Sequence, residues 1–155
     1  MRRIVACALL AALLPAPAEA KKPRCSLRVH VEANANDGDV FSSQAASPRT
    51  GKPVVIEKIP TISENDVTGC AIYPATDGSY GALFQLNDHG KLALDTLSVE
   101  RRGRFVYVFV NGRGLAELQI DKRITDGRLY LASGLTAQDV ELMKNSWPTK
   151  AQRKK

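Results

Sequence analysis

Two histidines, three cysteines and one tryptophan are all that the 155 residues offer of those types, and aromatic residues make up only 6% of the chain. So few imidazoles and thiols leave little to build a metal centre from. His30 and His89 stand far apart, in no zinc-ligand or local triad spacing. A C-x-x-C pair is missing, which removes the support for a redox-active role. The scarcity of aromatics argues against a stacked-ring platform for carbohydrate or single-stranded nucleic acid. Beyond position 20 no apolar stretch approaches the roughly 20 residues that a membrane-spanning helix needs. No internal repeat is apparent, and the hydrophobic (44%) and charged (25%) fractions are those of an ordinary globular chain of one domain.

What is present begins with the N-terminus. Met1-Arg2-Arg3 is a basic head, Ile4–Leu14 is continuously apolar, Pro15 and Pro17 interrupt helix, and Ala18 and Ala20 put small residues at the two positions that determine cleavage. This is the pattern of a secretory signal peptide over residues 1–20, and the apolar run of 11 residues is too short to cross about 30 Å of hydrocarbon. Cys7 lacks the preceding apolar segment that lipid attachment requires. Cleavage after Ala20 leaves one domain, residues 21–155, exported to the periplasm or secreted, with Cys25 and Cys70 as its only cysteines. An oxidising compartment favours a disulfide between them, closing a loop of 46 residues and contributing roughly 4 kcal/mol. Two unpaired thiols are the alternative.

The formal charge of +6 belongs to the ends. Lys21, Lys22 and Arg24 precede the body and Lys150, Arg153, Lys154 and Lys155 lie in a basic tail, 148–155, whereas Ser26 to Trp147 carries 13 basic and 15 acidic residues. No clustered nucleic-acid face follows from this. The tails are suited to solubility, or to weak contact with anionic lipid headgroups. Arg101-Arg102-Gly103-Arg104 reads as a solvated turn.

Periodicity then supplies the elements. Ser26–Glu32 alternates inward Leu27, Val29 and Val31 with outward Arg28, His30 and Glu32, as a half-buried strand does. Residues 34–53 form a polar connection with Val40-Phe41 as its only apolar patch and candidate short strand. Val54–Ile59 is a strand, and Ser63 with Asp66 opens a two-turn helix ending near Gly69. Cys70–Tyr73 and Tyr80–Leu86 pair across Asp77-Gly78. Asn87 caps a helix carrying Leu92, Leu94 and Leu97, which ends around Gly103. Phe105–Val110, apolar on both faces, turns at Asn111-Gly112 into Leu115–Ile120, and Leu129–Leu131 follows Asp126-Gly127. Thr136 and Asp139 open a last helix with Val140, Leu142 and Met143, and Trp147 anchors it. Hairpins in place of crossovers, with two or three helices, make this an α+β chain with a mainly antiparallel sheet.

None of the candidate chemical motifs matures. Asn34-Ala35-Asn36-Asp37-Gly38-Asp39 has calcium-loop composition but neither Gly at the sixth position nor a closing Glu, and reads as an Asx-rich turn. Gly112-Arg113-Gly114 is flanked by strands and is a hairpin turn, not a phosphate loop. Asp66, Asp77 and Asp88 read as cap and turn residues, and His89 as a helix-terminus residue. The residues imply no catalytic group, cofactor or metal.

From Ile59 to Met143 the chain resembles the head subdomain of the first periplasmic domain of SecD, in the SecDF protein-translocation accessory family. Ile59-Pro60-Thr61-Ile62 with Asn65-Asp66-Val67, Ala82–Leu86 followed by Gly90, Phe105–Arg113, Ile124–Gly127 and Gly134–Val140 carry the resemblance, over 85 residues. A proline usual after the family's hairpin is missing around Ala116–Leu118, and the family's membrane spans have no counterpart. The resemblance implies a stand-alone SecD-head-like α+β domain, non-enzymatic, binding a protein or peptide partner in the envelope through exposed edge strands, with an accessory role in export. A small exported hydrolase, or a small-ligand-binding protein using His30 or His89, is the other reading. Intact-mass analysis of protein recovered from the envelope is expected to find a chain starting at Lys21 and two mass units lighter than its reduced form. Two free thiols there exclude the bridge.

Overall fold

The computed structural model describes residues 24–34 and 36–151. The segment read as a signal peptide, with Cys7, Ala18 and Ala20, the leading Lys21 and Lys22, and the last residues of the basic tail lie outside them.

The first sheet is assembled around the strand that is apolar on both faces. Strand β1 (Leu27–Val31) pairs antiparallel with β7 (Phe105–Val110), His30 facing Tyr107 across the ladder. Strands β4 (Ile62–Ser63) and β8 (Arg113–Gln119) flank them, giving the order β4-β1-β7-β8. The second sheet, β10-β5-β6-β9, consists of β5 (Val67–Pro74), β6 (Tyr80–Leu86), β9 (Arg128–Leu135) and β10 (Thr149–Ala151); β10 runs parallel to β5 and the other pairs are antiparallel. A third, two-stranded unit is the hairpin β2 (Ser42–Ala46) with β3 (Pro53–Glu57).

Inward residues of both sheets share one core. Leu27, Val29 and Val31 meet Val106, Val108 and Val110 from the first sheet, and Cys70, Ala82, Phe84, Leu129 and Leu131 from the second. Burying each aliphatic side chain contributes about 1.5–3 kcal/mol. Helix α1 (Asp88–Glu100) adds Leu94 and Leu97. Its start is the one its sequence prescribes, the Asn87 side chain accepting from the Gly90 N–H at 2.8 Å. Helix α2 (Ala137–Ser146) adds Met143, and Trp147, just past its end, stands edge-on to Phe84 with ring centroids 5.9 Å apart.

The α+β, mainly antiparallel reading with two helices is thus the observed fold. Four local expectations give way. The helix from Ser63 is a single 3-10 turn, Glu64–Asp66, although its capping box forms, because pairing of β5 with β6 already begins at Val67. Val40 and Phe41 are not strand but stand about three-quarters exposed before β2, since the pairing partner of β3 is the polar run Ser42–Ala46. His30 does not face water: the hairpin covers that side of β1, and His30 is 9% exposed. Strand β9 continues four residues past Leu131, and the tail contributes β10, held because Gly69 and Cys70 lie against the Pro148 carbonyl.

Asp139 fastens α2 to the first sheet. Its carboxylate, 4% exposed, accepts from the Thr136 N–H and hydroxyl and from Asn111 Nδ2 at 2.7 Å, and pairs with Arg113. Burial raises its pKa, but these donors and the guanidinium outweigh that and hold it below the ordinary carboxylate value. The folded state therefore prefers the ionised form, so this stabilisation is complete above about pH 4 and is lost as pH falls through the depressed value. Asp139→Asn is expected to cost about 2–4 kcal/mol in urea unfolding at neutral pH, with a smaller difference from wild type at pH 3. An undiminished difference at pH 3 excludes a role for the charge.

Candidate interaction surface

The second sheet buries one face in the core and leaves the other uncovered. Alternation along its strands sends Ala71 and Tyr73 of β5, Leu83 and Gln85 of β6, and Arg128 and Tyr130 of β9 outward, while Cys70, Phe84 and Leu129 go in. Among the described residues no helix packs on these outward side chains. At one end, Tyr73 lies across β6 over Gly81 and its hydroxyl donates to the Leu131 carbonyl at 2.5 Å. There it stacks on Tyr130, centroids 5.7 Å apart and planes within 9°. Gly81 is required by that crossing, since a Cβ would collide with the Tyr73 ring and the Ala132 carbonyl. Burial of the Tyr73 hydroxyl, reinforced by Tyr130, pushes its pKa up, so Tyr73 is neutral at any physiological pH. At the other end a cleft of about 400 Å³ opens among Ala71, Leu83, Gln85, Arg128, Pro148 and Thr149.

Beside this face runs an unpaired backbone. β9 pairs only with β6, and β8 only with β7, so among the described residues each has an outer edge with no strand on it. Such edges accept an added strand. A second apolar feature sits at the open end of the β2–β3 hairpin, where Val40 (74%), Phe41 (75%) and Ile59 (80%) are the most exposed large hydrophobic side chains described. The Lys58 N–H to Phe41 carbonyl bond, 2.8 Å, holds the two chain ends of that tip together.

The residues marked out by sequence are not gathered into one site. His89 lies at the start of α1, mostly exposed, with Nδ1 at 2.7 Å from Asp66 Oδ1. Asp66 is buried and also accepts from the Ser63 N–H and hydroxyl. Burial works against ionisation there, and the Ser63 N–H and His89 more than compensate, holding Asp66 below its usual range. His30 is on the other sheet, its Nδ1 bonded to the Glu57 carbonyl at 2.8 Å. Asp77 accepts from Ser79 and Asp88 occupies the first turn of α1, both as turn and cap residues. Asp37 accepts from the Asn34 N–H three residues before it, and its own N–H donates to the Asn34 carbonyl at 3.0 Å, so the segment is a turn closed from both ends. Asn111 and Gly112 take the positive φ values, 50° and 77°, of a tight hairpin.

Cys25 and Cys70 are both buried and both thiols. They flank one segment: Cys25 N–H donates to Ser146 Oγ at 2.7 Å, and Cys70 N–H to the Pro148 carbonyl at 3.0 Å. Burial, with the nearby negative charge of Asp139, pushes Cys25 up to about 12, and burial raises Cys70. Neither is a ready nucleophile. Periodicity had no means of finding the tyrosine pair, because Tyr73 and Tyr130 become neighbours only when β6 runs between their strands with a glycine at the crossing.

No family model matches the chain, and no curated protein matches it in sequence. Among the solved structures that match it in fold are two of SecDF. One is the crystal structure of SecDF in its super-membrane-facing form, with a TM-score of 0.57 and 11% identity, over 81% of this chain and 19% of that one. The other is a structure of SecDF described as a membrane component that enhances protein export, with a TM-score of 0.57 and 15% identity, over 87% of this chain and 72% of that one. The fold is SecD-like. This chain spans about one fifth of the first SecDF chain, and at these identities the likeness is one of architecture. It is also wider than residues 59–143, because 81% of the chain is more than that segment can supply. Elements flanking the segment therefore belong to the shared fold. Among the described residues no helix is long and apolar enough to cross a membrane.

Gly81→Ala is expected to lower stability by about 1–3 kcal/mol through overpacking and to displace Tyr73 from Tyr130, measurable as loss of the protected Tyr73 hydroxyl in its ultraviolet titration. Wild-type stability with an unchanged tyrosine titration excludes the crossing described above.

Proposed function

We propose that this chain is an exported, non-enzymatic domain that binds a protein or extended peptide segment in the cell envelope, in an accessory role to protein export. The observation that carries the reading is the uncovered outer face of the second sheet, paved by Tyr73, Tyr130 and Leu83 beside the unpaired edge of β9. Edge pairing gives affinity through main-chain hydrogen bonds and tolerates sequence variation, while flat aromatic surface adds contact at low entropic cost. The SecD-like fold supports the export context, and the basic-apolar-small pattern of residues 1–20 supports delivery to the periplasm or beyond.

The bridge between Cys25 and Cys70 belongs to the same proposal. Thiols buried and raised as these are exchange slowly, so oxidation has to occur while the chain is still open. The result would pin the N-terminal end of β1 to the sheet that carries the binding face.

A hydrolase is the second reading, favoured by one observation, the Asp66–His89 pair. His89 Nδ1–H donates to the carboxylate, leaving Nε2 as an acceptor beside a groove of about 350 Å³ that Thr61 and Thr96 also line. Ester hydrolysis surviving in His89→Ala rejects it.

Binding is tested with a reduced, carboxymethylated and hence permanently unfolded polypeptide. Leu83→Asp with Tyr130→Asp is expected to weaken its binding about tenfold or more, and Val99→Asp, on the exposed side of α1, to leave it unchanged. Absence of wild-type binding, or a double variant that binds as wild type, overturns the proposal.

A further inference from the structure

The β2–β3 hairpin does not lie flush on the first sheet. Between them is a cleft of about 330 Å³, at the small end of the range for ligand pockets, whose walls come from β1, β7 and the hairpin. One wall is apolar, with Phe109, Ala45 and Ile56; the rest presents Arg28, His30 and the Ser43–Gln44 segment.

His30 is fixed there. Nine-tenths buried, it stands edge-on to Phe109, centroids 5.5 Å apart, and its Nδ1 lies 2.8 Å from the Glu57 carbonyl. A carbonyl oxygen only accepts, so Nδ1 carries the proton, and Nε2 of the neutral ring is an acceptor. Among the described residues Nε2 has no hydrogen-bond partner, although the ring lines the cleft. Nε2 is not a buried atom left without a partner, so it opens onto the cleft and is free to accept from a molecule bound there. Two residues along the same strand, on the same face, Arg28 is exposed and takes part in none of the ion pairs of the described residues. No carboxylate lines this cleft to neutralise it.

We propose that this cleft binds an amphipathic carboxylate that carries an adjacent N–H donor and a branched apolar group. Its carboxylate pairs with the Arg28 guanidinium, its N–H donates to His30 Nε2, and its apolar group packs on Phe109 and Ile56. Two sources share this chemistry: the C-terminal residue of a polypeptide, and a free N-acylated amino acid. The site lies on the other sheet from the tyrosine face and stands independently of the function proposed above.

The test is an amide-resolved NMR titration of the ¹⁵N-labelled protein with N-acetyl-leucine and with N-acetyl-leucinamide. N-acetyl-leucine is expected to shift the signals of Arg28, His30, Ser43 and Phe109, and the uncharged amide to bind about tenfold more weakly. Arg28→Gln is expected to weaken N-acetyl-leucine about tenfold. His30→Asn, whose side-chain amide keeps a donor for the Glu57 carbonyl but has no counterpart of Nε2, is expected to weaken it about fivefold. Lys122→Gln, an exposed cation away from the cleft, serves as the unaffected control. No shifts at the cleft, equal affinity for acid and amide, or wild-type affinity in Arg28→Gln overturns the proposal. A peptide ending in free leucine, set against its C-terminal amide, separates the sources: selective binding of the free-acid peptide assigns chain termini, and its exclusion while N-acetyl-leucine binds assigns the free acid.

Discussion

Strand β7 has to be buried twice. Val106, Val108 and Val110 enter the core between the sheets, while Tyr107 and Phe109 point to the other side, and neither set tolerates water cheaply. The second sheet and the two helices satisfy the first demand. The β2–β3 hairpin satisfies the second, laid over Tyr107 and His30 and tied by Arg101 to Glu57 at 2.9 Å and by Ser47 and Arg49 to Glu117. A short two-stranded hairpin is an imperfect cover for a strip of aromatic rings. The cleft beside Phe109 is the space left by that mismatch.

The second sheet meets the opposite condition. Its inner face contributes Phe84, Leu131 and Cys70 to the shared core, and its outer face receives no cover from the described residues. Tyr73 and Tyr130 cover part of it themselves, stacking over a glycine. That arrangement hides much of Tyr73 and leaves Tyr130 56% exposed. An aromatic pair held rigid by a hydrogen bond to a main-chain carbonyl loses little entropy when another surface docks on it. The contrast between the two outer faces, one roofed and one open, leaves a narrow cleft on the first and a broad open surface on the second.

Much of this was legible from local pattern. Alternation in Leu27–Val31, the Asn87 cap, the Thr136–Asp139 capping box and the Asn111-Gly112 turn each depend on neighbours a few residues away, and each stands as read. The capping box at Ser63–Asp66 also formed, yet the helix it announces stops after one turn, because Val67 is worth more to the ladder with Leu86 than to another helical turn. His30 occupies the polar half of an alternating strand, and alternation names two faces without saying whether the second is wet. The strip Val40-Phe41 is the converse, apolar residues that the ladder leaves outside.

The amino-acid sequence by itself determined most of the strands, the two long helices, the turns, the caps and the α+β class, because those follow from steric preference and hydrophobic period within a single segment. Tertiary structure alone decided that the hairpin roofs His30, that Tyr73 meets Tyr130, that Cys25 and Cys70 flank the same stretch, and that the tail returns as a strand beside β5. Each of these joins residues distant in the chain, and which distant surfaces meet is set by the packing of the whole core, a quantity that no local window contains.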